Sequence, residues 1–225
     1  MIKENKKKLI ITSIIILLPI IIGLVLWNKL PDKLPTHWNA AGEVNGWSSK
    51  AFAVFGLPGF LFAVHWVCVL ASSADPKKQN IDGKVFNIVF WTCPVISVLG
   101  AVLIYGTALG MEFAVDKIVL PLLGIMFIVV GNYLPKCKQS YTMGIKLPWT
   151  LNDEENWNRT HRFGGKVWVV CGFVFIVSML LPTTLMVITE LVILTVAILV
   201  PTVYSYLIFR EKEKRGEEDE SNSDQ

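Results

Sequence analysis

Six stretches of this chain carry no Asp, Glu, Lys or Arg: residues 9–27, 51–71, 85–110, 118–135, 167–189 and 191–209. At ~1.5 Å of rise per helical residue each covers most or all of a ~30 Å hydrocarbon layer. Backbone amides in lipid must be bonded within their own segment or within a closed barrel. The runs are continuously apolar rather than alternating, which excludes the barrel. The pattern therefore predicts an all-α, polytopic membrane helix bundle of about six transmembrane helices.

The last two runs form one 43-residue apolar stretch, 167–209, broken only by Pro182-Thr-Thr184 and Glu190. As a single helix it would be ~64 Å long, twice the bilayer core, so it reads as a hairpin with its turn near Pro182 or Glu190. The first run follows MIKENKKK, a basic flank of the kind secretory signals carry. It is too long for a signal core, and NKLPDKLP offers no small-x-small cleavage site, so it reads as a retained anchor. Pro19, Pro58, Pro94 and Pro121 fall in spans and are expected to kink them.

Charge sets the orientation. Of the 21 Lys and Arg, seventeen lie in residues 1–8, 72–84, 136–166 and 210–225, and four in the alternate connections. Basic residues beside spans are retained on the cytoplasmic side, which predicts a multi-pass membrane protein with both termini in the cytoplasm. The organisation expected is a basic N-terminus (1–8), a four-span half (9–135) with an outer loop at 28–50, an inner loop and last hairpin (136–209), and a charged tail (210–225) too polar to fold. The net charge of +3 is spread along the membrane flanks, which argues against direct nucleic-acid binding. Three of the four cysteines (Cys68, Cys93, Cys171) lie in apolar runs, and Cys137 at a helix end, without metal-type spacing. No metal or cofactor is expected.

Two polar loops hold the candidate chemistry. The outer one, LPDKLPTHWNAAGEVNGWSSK, starts extended at its prolines and continues in turn residues. Trp38 and Trp47 suit the headgroup layer, and His37, Trp38, Asn39 and Gly42 suit a recognition surface, exposed aromatics being common anchors. The inner loop is dense in Trp, His, Arg, Asn and Gly. Asn152 or Asp153 caps a short helix there, with Glu154 and Glu155 in its first turn. On that helix Trp157 and His161, and Glu155 and Arg159, stand at i, i+4.

EENWNR (154–159) matches a Glu-Glu-x-x-x-Arg signature of membrane proteases, but those enzymes add intramembrane histidines, and here the spans hold only His65. His65 reads either as a functional group or as an imidazole bonded within the helix packing. Asn158-Arg-Thr160 is a glycosylation sequon in form, on the side that charge places in the cytoplasm.

Together the loops resemble the SdpI family of bacterial membrane proteins that protect against a secreted killing peptide. The resemblance rests on Gly131-Asn132, on GIKLPWTL (Gly144, Ile145, Lys146, Leu147, Pro148, Trp149, Thr150, Leu151), on Trp157, and on THRFGGK with Thr160, His161 and Gly164. It rests also on an outer module, LPxHWNxxGxxxGW, with Pro35, His37, Trp38, Asn39, Gly42, Gly46 and Trp47. Lys146 stands where arginine is expected and Ser140 where asparagine is common; a lysine keeps the charge but not the planar fork.

The resemblance implies a non-enzymatic immunity protein that neutralises a secreted antimicrobial peptide toxin. It further implies that, once occupied, the protein holds a small winged-helix autorepressor at the membrane. On that basis the outer motif would recognise toxin and the inner motif would dock the repressor. The competing readings are a small transporter or permease and, behind it, a membrane-embedded enzyme. Both require polar groups at mid-membrane, where the spans offer His65, Asn87 and scattered Ser or Thr. No internal repeat is visible.

Overall fold

The computed structural model describes residues 2–223, with side chains through Gly216. Among the described residues six helices are long and apolar enough to cross a membrane. The protein is a mostly helical, multi-pass membrane protein. Its residues group in two compact units, 1–74 with 83–119, and 75–82 with 120–225. The division falls inside the fourth helix.

The first unit contains α1 (Lys6–Val25), α2 (Leu57–Ala74) and α3 (Gly83–Ala108), which pack on one another. Leu9, Thr12, Ile16, Pro19 and Gly23 recur every three or four residues along α1 and form its buried stripe. Ile10, Ile11, Ile14, Leu18 and Ile21 are exposed, as lipid-facing positions should be. With water absent, hydrogen bonds and close backbone approach hold such helices together. Ser97 donates to the Ile16 carbonyl at 2.8 Å and Tyr105 to the Pro19 carbonyl at 3.1 Å. A Cβ on Gly23 would lie 2.7 Å from Val54 and 2.8 Å from the Tyr105 hydroxyl, so only glycine permits this contact.

The first loop is more ordered than its turn residues suggest. Lys33–Trp38 (β1) and Val44–Ser49 (β2) form an antiparallel hairpin, with register irregularities at His37. Asn39 closes its tip: the side-chain oxygen accepts from the Ala41 and Glu43 amides, both at 3.0 Å, and Gly42 turns the chain at φ +77°. Leu30 and Leu34 are buried with Ala53, Val54, Ile104 and Tyr105. A π-turn at Phe52–Gly56 leads directly into α2.

The second unit contains most of α4 (Val115–Tyr133), α5 (Pro148–Asn152), α6 (Glu154–Ser178) and α7 (Thr183–Ser223). α6 and α7 form the expected hairpin, turning at 179–182 beside Pro182, not at Glu190. Leu120, Phe127, Cys171, Phe175, Met186, Ile193 and Ala197 make its core. α4 meets α6 through two glycine pairs: a Cβ on Gly131 would lie 2.8 Å from the Gly165 carbonyl, and one on Gly172 would lie 2.5 Å from the Gly124 carbonyl.

Two expectations are corrected here. The capped helix at Asp153 is not a short element before a span beginning at 167; α6 runs unbroken from Glu154. Its polar first half is stabilised by buried hydrogen bonds described below. The charged tail expected to be disordered continues α7 through Ser223, residues 224–225 lying outside the described range. Arg210–Glu213 (2.8 Å) and Arg215–Glu211 (2.6 Å) pair along the helix, and Lys212 reaches Asp153 and Glu155, both at 2.7 Å.

Candidate functional site

The segment between α4 and α6 is organised around His161. Its Nδ1–H donates to the Trp157 carbonyl at 2.8 Å, which leaves the Nε2 lone pair to accept from the Ile145 amide at 2.9 Å. Both nitrogens are used, and the ring must be neutral to use them so. Trp157 stacks on it at 4.0 Å between centroids, is fully buried, and donates from Nε1 to the Cys137 carbonyl at 2.7 Å. The i, i+4 placement read from sequence is thus a working contact. Gly144 fits over this pair at φ +105°; a Cβ there would overlap His161 Nε2 and come within 2.8 Å of the indole. Ile145 in turn lies over Gly164, where a Cβ would be 2.8 Å from Ile145 Cδ1.

α5 is built by Leu147-Pro-Trp-Thr150. Pro148 opens it where no N–H is needed, and Thr150 Oγ1 reaches back to accept from the Leu147 amide at 2.9 Å. Trp149 donates to Ser205 Oγ at 2.7 Å and stacks on Phe209. Ser205 Oγ and Thr160 Oγ1 both donate to Asn156 Oδ1 at 2.9 Å, and Asn156 Nδ2 donates to the Ser205 carbonyl at 3.0 Å. Asn156, Thr160 and Ser205 are fully buried. This network ties α5, α6 and α7 and explains why a polar stretch is helical. Gly131 lies at the α4–α6 crossing, whereas Asn132 and Lys146 are exposed and Leu151 is half-buried. Lys146 donates to the Thr142 carbonyl at 3.3 Å.

Sequence reasoning missed Asp75. This buried carboxylate, one residue beyond α2, accepts from the Tyr141 and Thr142 amides (2.9 Å each), from Thr142 Oγ1 (2.7 Å) and from the Lys77 amide (2.8 Å). Burial pushes its pKa up, but the Thr142 hydroxyl and the three amides outweigh that and hold it below the usual carboxylate range. Gln139, beside it, pairs with Lys77, donates to the Thr150 and Leu151 carbonyls at 2.8 Å, and accepts at its own carbonyl from Asn80 at 2.8 Å. Ser140, noted as a departure, receives the Met143 amide at 3.1 Å. Burial, helped by the Asp82 charge, raises the Cys137 thiol to about 11.

Asp153 is the N-cap of α6, accepting from the Glu155 and Asn156 amides. Burial raises its pKa, and the bond from Lys212 with the two amides more than reverses this. In the Glu-Glu-x-x-x-Arg motif Glu155 faces Arg159 at 3.6 Å and Lys212 at 2.7 Å. Its anion is therefore matched by cations. Among the described residues no group of three or more His, Cys, Asp or Glu could hold a metal ion.

In the hairpin His37 Nδ1 meets Asn45 Oδ1 at 2.5 Å, and a Cβ on Gly46 would lie 2.8 Å from His37 Cβ. Pro35 pairs with Trp47, and Trp47 is 58% exposed. Trp38 is half-buried and packs against the Leu34 cluster. His65 is fully buried in its span; Nε2 bonds Thr12 Oγ1 at 3.0 Å, and Nδ1 has no partner among the described residues.

Comparison with known proteins places these features. Residues 14–62, which contain the hairpin, match a Domain of unknown function (DUF1648). Residues 136–205, which contain the segment built on His161, match the SdpI/YfhL protein family. The chain is 26% identical to Immunity protein SdpI of Bacillus subtilis (strain 168) over 208 residues, 91% of this chain and 97% of that protein. No solved structure matches the chain. Residues 136–205 thus resemble the SdpI/YfhL protein family, in a multi-pass membrane chain similar along nearly its whole length to a bacterial immunity protein.

Proposed function

We propose that this protein is a non-enzymatic membrane immunity protein that protects the cell carrying it against a secreted antimicrobial peptide. Its inner segment, from Gly131 to Gly164, docks a winged-helix repressor when the toxin-facing side is occupied. The observation that carries the reading is the similarity to an immunity protein over nearly the full length of both chains. The charge asymmetry supports an orientation with both termini and the inner segment in the cytoplasm and the hairpin outside.

In this reading Pro35, His37, Trp38, Asn39, Gly42, Gly46 and Trp47 build the toxin-facing surface. Gly144 to Leu151, with Trp157, Thr160 and His161, build the repressor-facing one. A toxin shifts the protein between two states only by its differential affinity for them, and ~100-fold is worth about 2.7 kcal/mol.

Survival of a sensitive strain expressing this chain, challenged with peptides secreted by the source organism, tests the function. Protection supports it; killing at undiminished membrane levels across the candidate peptides favours a small permease instead. Reporters fused after Gln225 and inserted near Ala41 should report opposite sides of the membrane, and a shared side would overturn the topology.

A further inference from the structure

We propose that α2 carries the state of the outer hairpin to the inner segment, with Asp75 as the positioning residue at its inner end. The proposal rests on reading those two elements as the receiving and responding faces. β2 ends at Ser49, whose hydroxyl accepts from the Phe52 amide at 3.3 Å at the start of the π-turn. Lys50 then ties this junction to Asp32 (3.4 Å) and to the Trp27 carbonyl (3.2 Å). The π-turn and α2 together run 23 residues, from Phe52 to Ala74, a continuous rod of ~34 Å. A single π-turn in a helix is frequent at functional sites.

The next residue is Asp75. A carboxylate just past a helix C-terminus is opposed by the helix dipole, so it does not serve α2 as a cap. Three of its four bonds go to Tyr141 and Thr142, 66 and 67 residues later. Asp75 therefore grips the inner segment at the end of the element that begins at the hairpin. Because Asp75 directly follows Ala74 in the chain, a displacement of α2 pulls on the residue that holds Tyr141 and Thr142.

Cys137 provides a reporter in the gripped segment, half-buried, its Sγ donating to the Tyr133 carbonyl at 3.4 Å. The experiment uses the full chain in membrane vesicles, with Cys68, Cys93 and Cys171 changed to Ala and N-ethylmaleimide as the probe. Asp75→Ala should speed labelling of Cys137 by about tenfold or more, the kinetic equivalent of losing a charged hydrogen-bond acceptor. Gly42→Ala, which strains the hairpin tip at φ +77° beside the Asp116 carboxylate, should change the rate several-fold. In the Asp75→Ala background it should change nothing further.

An unaltered rate in Asp75→Ala overturns the grip. Effects of the two substitutions that simply multiply overturn transmission through it. If Asp75→Ala does not accumulate, Thr142→Val, which removes one of the four donors, takes its place under the same criteria with an expected effect of about threefold. These rates are read without toxin or repressor, so failure of the survival test would refute the immunity reading and leave this measurement standing.

Discussion

Gly144→Ala should open the inner segment without disturbing the spans. At φ +105° an L-residue is strained by about 1–3 kcal/mol whatever surrounds it. The new methyl also overlaps His161 Nε2, the acceptor for the Ile145 amide, and displaces it. A buried donor left unmatched costs about 1–3 kcal/mol more. The combined loss of ~2–6 kcal/mol, with every 1.4 kcal/mol a factor of ten, raises the open population by at least ~30-fold. Hydrogen exchange followed by mass spectrometry in nanodiscs should show residues 139–147 losing protection by that factor, while α3 keeps its own. Gly100→Ala is the control: a Cβ there meets nothing within 4 Å, and alanine is the better helix former. Unchanged protection at Ile145 in Gly144→Ala would refute the claim that His161 holds this segment.

Asn156→Ala removes the centre of a network and leaves the Thr160 and Ser205 hydroxyls without their acceptor and the Ser205 carbonyl without its donor; a loss of about 2–4 kcal/mol should appear as a lower melting temperature in detergent, and an unchanged one would contradict it. Because the folded pKa of Asp75 is depressed, its grip is fully present above the ordinary carboxylate pKa and is lost only as pH falls below that range. Tyr141 and Thr142 amides should therefore stay protected down to about pH 4 after correction for intrinsic exchange, and loss of protection near pH 6 would be the wrong sign. Thr12→Val leaves both nitrogens of buried His65 without a side-chain partner. A destabilisation of about 1–3 kcal/mol is expected, and if resistance changes while stability does not, His65 is functional and not merely packed.

The spans were legible because a charge-free run of helical length has few alternatives in lipid. The cap at Asp153 and the Trp157–His161 pair were legible because both are local spacings. The hairpin was not: Pro35, Gly46 and the irregularities at His37 interrupt the alternation that marks strands, and Thr36 bonds Ser48 across the pair at 2.8 Å. The polar half of α6 was read as loop because hydropathy reports preference for water, while Asn156, Thr160 and His161 satisfy themselves inside the protein. Composition likewise suggested a formless tail. A helix continuing from a membrane span needs no new nucleus, however, and weak pairs suffice to extend it. Asp75 showed locally no more than a turn to the Lys77 amide, since its other three bonds come from residues more than 60 positions away.

The paired glycines of α4 and α6 restrict which motions this unit can make. At Gly124–Gly172 and Gly131–Gly165 a carbonyl of each helix rests on the α-carbon of the other. Rotating α6 about its axis would bring Val169 or Ile176, which already flank the seam, against those carbonyls, and interiors this close do not deform gradually. The two helices must therefore travel as one strut. Freedom to change shape is left to the stretches that have no such seam, the chain between Cys137 and Leu147 and the turn at 179–182.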